Sequence, residues 1–169
     1  MEESGLVKKA PEVIPNVYHS TQVKKAYNIF NFKHEKIAGD IYVYLQELIE
    51  FWDWKEYPDF TRFKLKPDRS SVIQGKVIFW EIDRSTMTKA RIIEKIEKYL
   101  SYARGNNRKF NVIFAASKRR AASIAKEFAS YRNPFVWFAA VEIDQLLNNP
   151  HEKIFQTIDD KVLSIEELM

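Results

Sequence analysis

Residues 66–83 read KPDRSSVIQGKVIFWEID, setting Asp68, Glu81 and Asp83 at the ends of two otherwise apolar runs. Ser71–Ile73 and Lys76–Ile82 have the make-up of strands, and Gln74-Gly75 forms a two-residue turn between them. That turn pairs Ile73 with Lys76, and counting outward places Asp68 directly opposite Glu81. Opposed side chains on one face have Cβ atoms ~4.5–5.5 Å apart, a separation at which like charges repel. Asp83 projects from the same face as Glu81, ~6.7 Å further along. Val77 and Phe79 share that face, while Ile78, Trp80 and Ile82 fill the other, so the strand is expected to be central and its acids to emerge at the rim of a packed sheet. Three converging carboxylates call for a counter-charge. A hard divalent cation such as Mg2+ or Mn2+ supplies one, ligated by carboxylate oxygens and waters, and such an ion also activates water against a phosphodiester. The alternative is a solvated rim in which Arg84 or Lys66 pairs with the acids at the surface.

The elements that must position these residues follow from periodicity. Ile37, Ile41, Tyr44, Leu45 and Leu48 recur at helical spacing and predict a helix from His34 to Phe51, after a weaker one over Gln22–Phe30. Pro58 and Pro67 make the next stretch irregular or an edge strand. Beyond the hairpin, Ser85 or Thr86 caps a helix over Met87–Ala103 whose buried side carries Ile92, Ile93, Ile96, Tyr99, Leu100 and Ala103. The run GNN at 105–107 stops that helix. A strand over Asn111–Ala115, a helix over Lys118–Tyr131, a strand over Phe135–Ala140, a short helix near Glu142 and a hairpin in IFQTIDDKVL complete the chain. This order predicts an α/β fold with a mixed central sheet covered by helices on both faces. Residues 1–14 read as a loosely held polar arm, and 15–169 as a single domain.

Composition narrows the chemistry. The 169 residues are 46% hydrophobic and 14% aromatic, which excludes a disordered chain. The absence of cysteine excludes disulfides, thiolate nucleophiles and Cys-ligated metal centres, and is compatible with the reducing cytoplasm, the expected location. His19, His34 and His151 are too scattered for a zinc site. Four glycines supply no phosphate-binding loop, and no serine sits in a nucleophile elbow. No apolar run is long enough for a signal peptide or membrane span, so no membrane partner is expected. A net charge of +4 and a pI near 9.1 permit a nucleic-acid partner.

Pro67-Asp68 followed by Glu81-x-Asp83 on the neighbouring strand, and then a helix, resembles the core of the PD-(D/E)XK nuclease-like superfamily. More specifically, IPNVYH (14–19), KPD (66–68), FWEIDRST (79–86), KIEKY (95–99) and FNVIFAASKRR (110–120) resemble the replication-relaxation family of plasmids and other mobile elements, over about residues 14–165. The resemblance implies a restriction-endonuclease-like core of αβββαβ type and a role in replication, mobilisation or relaxation of extrachromosomal DNA. The chain departs from it in two ways. Asp83 stands where superfamily nucleases most often carry lysine, although some restriction enzymes use a carboxylate there. The N-terminal part is also too short for the winged-helix domain that relatives often carry.

Beside the acids, Lys95 and Tyr99 are four apart and share a helix face. Lys95 either stabilises the scissile phosphate or steadies the attacking water, or it runs out to solvent beside a glutamate; Tyr99 reads as core. Glu47, at the border of the first helix's apolar stripe, is either the superfamily's helical acid or a solvated glutamate. Arg84 binds phosphate or pairs with a surface acid. Lys118, Arg119 and Arg120 open a helix, and Arg104, Arg108 and Lys109 form a second basic cluster. Each is a phosphate-binding surface or a solvated charge run. Trp52 and Trp54 either stack on unpaired bases or serve the core. Three functions are in contention: a DNA-binding, Mg2+- or Mn2+-dependent nuclease that nicks or cuts DNA, a catalytically inactive DNA-binding accessory of a relaxosome or replication complex, and, more weakly, a protein–protein adaptor with no DNA contact.

Overall fold

The computed structural model describes residues 7–9, 18–20, 29–46, 52–56, 65–73, 75–149, 151–158 and 161–168. Where the sequence suggests an arm to residue 14 and one domain beyond it, internal contacts divide the chain into Met1–Gly39 and Asp40–Met169. In the first unit β1 (Val7–Lys9) pairs antiparallel with β2 (Tyr18–Ser20). Helix α1 (Ile29–Gln46) starts before the expected His34, because no proline or glycine interrupts IFNFKHEK. Residues 22–28 and 47–51, to which the sequence assigns helix, lie outside the described residues.

The second unit holds β3 (Trp52–Glu56), β4 (Arg69–Ile73), β5 (Lys76–Asp83), α2 (Lys89–Asn106), β6 (Phe110–Ala116), α3 (Lys118–Phe128), β7 (Val136–Glu142), α4 (Ile143–Asn148), β8 (Phe155–Thr157), β9 (Val162–Leu163) and α5 (Ile165–Leu168). Among the described residues these strands form one seven-stranded mixed sheet in the order β3-β4-β5-β6-β7-β8-β9. β3, β4 and β5 run antiparallel, β5, β6 and β7 run parallel, and β8 and β9 are antiparallel again. The stretch before Pro58 is therefore the edge strand that its prolines suggest.

The crossovers β5-α2-β6 and β6-α3-β7 advance the sheet in the same direction, and a common hand puts both helices on one face. Their apolar sides, led by Ile92, Ile96, Tyr99, Ile124 and Phe128, share a core with Phe79, Val112, Phe114 and Phe138. The opposite face is buried too, through Ile78, Trp80, Ile82, Ile113 and Val141. β5 is thus packed on both sides along most of its length, as its apolar composition requires.

One local correction bears on the site. α2 is capped by Thr88, whose Oγ1 accepts from the Arg91 amide at 3.3 Å, and not by Ser85 or Thr86. Those residues belong to a loop that Asp83 holds down, and Ser85 adopts a left-handed φ of 67°. At the other end Asn107, in the left-handed region, closes α2 as GNN predicts.

Candidate functional site

The β4–β5 hairpin has the expected register. Gly75 takes φ 80°, open to a residue without Cβ, and the pairs run from Ile73↔Lys76 to Arg69↔Trp80. At Asp68 the chain leaves the ladder. Its amide donates to the Trp80 carbonyl at 3.1 Å, and its Oδ2 accepts from the Ile82 amide at 2.8 Å. The carboxylate thereby substitutes for the backbone acceptor that β4 no longer supplies, which holds it beside Glu81.

Glu81 is wholly buried. Two side chains from one face of α2 meet it: the Lys95 ammonium donates to Oε2, and the Tyr99 hydroxyl donates to Oε1 at 2.7 Å. The i, i+4 spacing of Lys95 and Tyr99 makes this possible. Tyr99 is held by stacking on Phe79, with ring centroids 5.6 Å apart. Burial pushes the Glu81 carboxyl up to about 7, against the pull of Lys95 and with a further upward push from the Asp68 charge. Burial and the neighbouring Glu81 also drive the Tyr99 hydroxyl well above its ordinary range. Tyr99 is core, as expected, and a hydrogen-bond donor as well. Lys95 runs to Glu81 on the sheet, with its side chain only 18% exposed.

Asp83, although on the same face, is engaged elsewhere. Its Oδ2 accepts from Arg120 Nε at 2.7 Å, and its Oδ1 accepts from the amides of Thr86 and Met87 at 3.0 and 3.2 Å. Arg120 also donates to the Met87 carbonyl. This fully buried acid is thus a clasp for the loop joining β5 to α2. Among the described residues, no three acids or histidines are grouped so that they could hold a metal ion. The expected trio is in fact a pair, Asp68 with Glu81, plus a separate ion pair, because Arg120 from α3 takes Asp83. Arg120 is correspondingly drawn into the protein, whereas Lys118 and Arg119 are exposed.

Asp68 and Glu81 open into a pocket of about 740 Å³ whose wall carries Lys66, Arg91, Lys95 and Lys98. The sequence offers Lys66 only as a surface counter-ion to the acids and does not single out Arg91 or Lys98. The signal available was the spacing 91, 95, 98, which puts three cations on one side of α2. Glu94, on the same wall, accepts from Lys98 at 2.6 Å. Arg84 lies partly buried in the loop after β5, and that loop meets the start of α3 through Ser85 Oγ and Ser117 Oγ, 3.1 Å apart. Arg104 and Arg108 are exposed at the far end of β6 from Lys118 and Arg119. The two basic clusters are therefore separated by the length of that strand, ~20 Å. Glu47 and the side chains of Trp52, Trp54 and His19 lie outside the described residues.

The profile of the replication-relaxation family matches residues 6–114, well over half of the chain. The chain belongs to the replication-relaxation family. The match takes in Asp68, Glu81, Lys95 and Tyr99 and ends within β6, short of the expected extent to about 165. Membership of the replication-relaxation family points to a role in the replication or relaxation of plasmids and other mobile elements. No curated protein and no solved structure matches the chain. No helix among the described residues is long and apolar enough to cross a membrane.

Proposed function

We propose that this replication-relaxation protein is a metal-dependent DNA nuclease that cuts or nicks phosphodiesters at the Asp68–Glu81 pocket. The observation that carries the reading is the meeting of a buried carboxyl, a second carboxylate and a lysine from a neighbouring helix in one cationic pocket. The order α1-β3-β4-β5-α2-β6, with three antiparallel strands and a fourth parallel to the third, supports a restriction-endonuclease-like core. The donor types suit Mg2+ or Mn2+: Asp68 on the pocket wall and the buried Glu81 behind it are hard oxygen ligands, Glu81 becoming one when Lys95 leaves its Oε2, and the pocket leaves room for waters. Such an ion would supply a Lewis acid at the phosphate. Lys95 would exchange Glu81 for a phosphate oxygen, Tyr99 would hold Glu81 in place, and Lys66, Arg91 and Lys98 would seat the flanking backbone. Arg84, Lys118 and Arg119, near the same end of the sheet, would extend that contact.

The second reading, a catalytically silent DNA-binding accessory of a relaxosome or replication complex, is favoured by the engagement of Asp83 with Arg120, which leaves two acids where three were expected. Incubation of supercoiled plasmid with Mg2+ or Mn2+ separates the two. Nicking that is lost in both D68N and E81Q, with both variants folded, supports the nuclease. Retarded but uncut DNA, with no metal-dependent rise in Tm for wild type over these variants, assigns the protein to the accessory class.

A further inference from the structure

Trp137 is the second residue of β7 and is 48% exposed, in a strand whose next four residues are buried. It pairs across the sheet with Asn111, and Asn111 with Ile78, which puts it on the face away from α2 and α3. Here lies a second pocket of about 350 Å³, lined by Lys76, Lys109, Phe110, Asn111, Trp137 and Glu167 with Leu168. Its floor is fixed: Phe110 is buried, and Asn111 Nδ2 donates to the Leu168 carbonyl at 2.9 Å. Its acid is already engaged, since Glu167 accepts from Lys153 at 2.6 Å and from the Ser164 amide at 2.9 Å. Exposed Lys76 and Lys109 therefore give this mouth a positive balance, and exposed Arg108 precedes Lys109 in the chain.

We propose that this pocket binds single-stranded DNA, with one unpaired base stacked on the Trp137 indole and the adjoining phosphates on Lys76 and Lys109. An exposed indole lining one pocket with two ammonium groups matches a ligand that carries both a π face and a phosphate. An apolar peptide would satisfy the indole and leave the lysines facing uncharged groups. A duplex hides its base faces in the stack, so only an unpaired strand can use the indole. Lys76 lies five residues before Glu81 on β5, ~17 Å away, so this site is distinct from the carboxylate pocket. The inference does not depend on whether that pocket cleaves.

The test is fluorescence anisotropy of labelled dT15, and of a 15-base-pair duplex, titrated with the full chain. Loss of one stacked base predicts that W137A binds dT15 about 5- to 150-fold more weakly, with a smaller change for the duplex. W137F should keep most of the affinity. The K76E/K109E double variant should flatten the log–log salt dependence for dT15 by about 1.4, two single-strand phosphate contacts. Saturating dT15 should also quench the Trp137 emission, read as the difference between wild type and W137F, a readout that does not require W137A to fold. Unquenched emission, unchanged dT15 affinity in folded W137A, or equal losses for single strand and duplex would each overturn the proposal.

Discussion

Glu81→Gln tests the electrostatics of the pocket without reference to a substrate. In the folded protein the carboxyl is raised from 4.5 to about 7, with burial the largest cause. A shift of that size corresponds to ~3 kcal/mol between the two protonation states. The folded state retains its proton between the two values while the unfolded state has lost it, so this group makes stability fall as pH rises from 4.5 through 7. Glutamine keeps a carbonyl oxygen for the Tyr99 hydroxyl and never ionises, so it escapes the loss. The stability difference between E81Q and wild type should therefore move by ~3 kcal/mol in favour of E81Q from pH 4.5 to pH 8, a relative gain in Tm of about 6–12 °C. Urea unfolding of both proteins with EDTA across that range reads the difference directly, and any constant cost of the substitution cancels. A difference independent of pH, or one that favours wild type at high pH, would refute the reasoning. It would mean that the Lys95 ammonium outweighs burial and holds Glu81 ionised at or below its ordinary value.

Two further outcomes follow from how the ion pairs are shared. Arg120→Met leaves Asp83 buried without its cation and should cost about 3–5 kcal/mol in urea unfolding; a loss under ~1 kcal/mol would show that the Thr86 and Met87 amides suffice. On the DNA-binding reading, charge removal at Lys118 and Arg119 should weaken binding across sequences and lower the salt slope by about 1 per lost phosphate contact, and an unchanged slope would take this cluster off the DNA surface.

Much of the scaffold was legible because it rests on local rules. The Gly75 turn specifies the hairpin register, and a slip of one residue would exchange Phe79 and Trp80 between the two packed faces and carry Glu81 away from α2. The stripe Ile92, Ile96, Tyr99, Ala103 specifies the buried side of α2, and the hydrophobic period makes β6 and β7 interior strands. The pairing of Val7–Lys9 with Tyr18–Ser20 was not legible, because short polar strands carry little periodic signal. The cap of α2 escaped for a different reason: Ser85, Thr86 and Thr88 are all competent caps, and the choice fell to Asp83, which binds the amides of Thr86 and Met87 in the preceding loop.

The sequence by itself therefore determined that Asp68 and Glu81 meet at the end of a hairpin, that Lys95 and Tyr99 share a helix face, and that the strand bearing Glu81 is packed on both sides. Each of these follows from a spacing within one element or across one turn. Only the tertiary structure decided which charges are partners. Asp83 shares a strand face with Glu81, yet Arg120, 37 positions away on α3, separates their roles. Lys95 turns inward to Glu81, and two basic clusters close in sequence stand at opposite ends of β6. Ion pairing depends on distances between elements and on how completely each group is removed from water, and neither is set until the helices pack on the sheet.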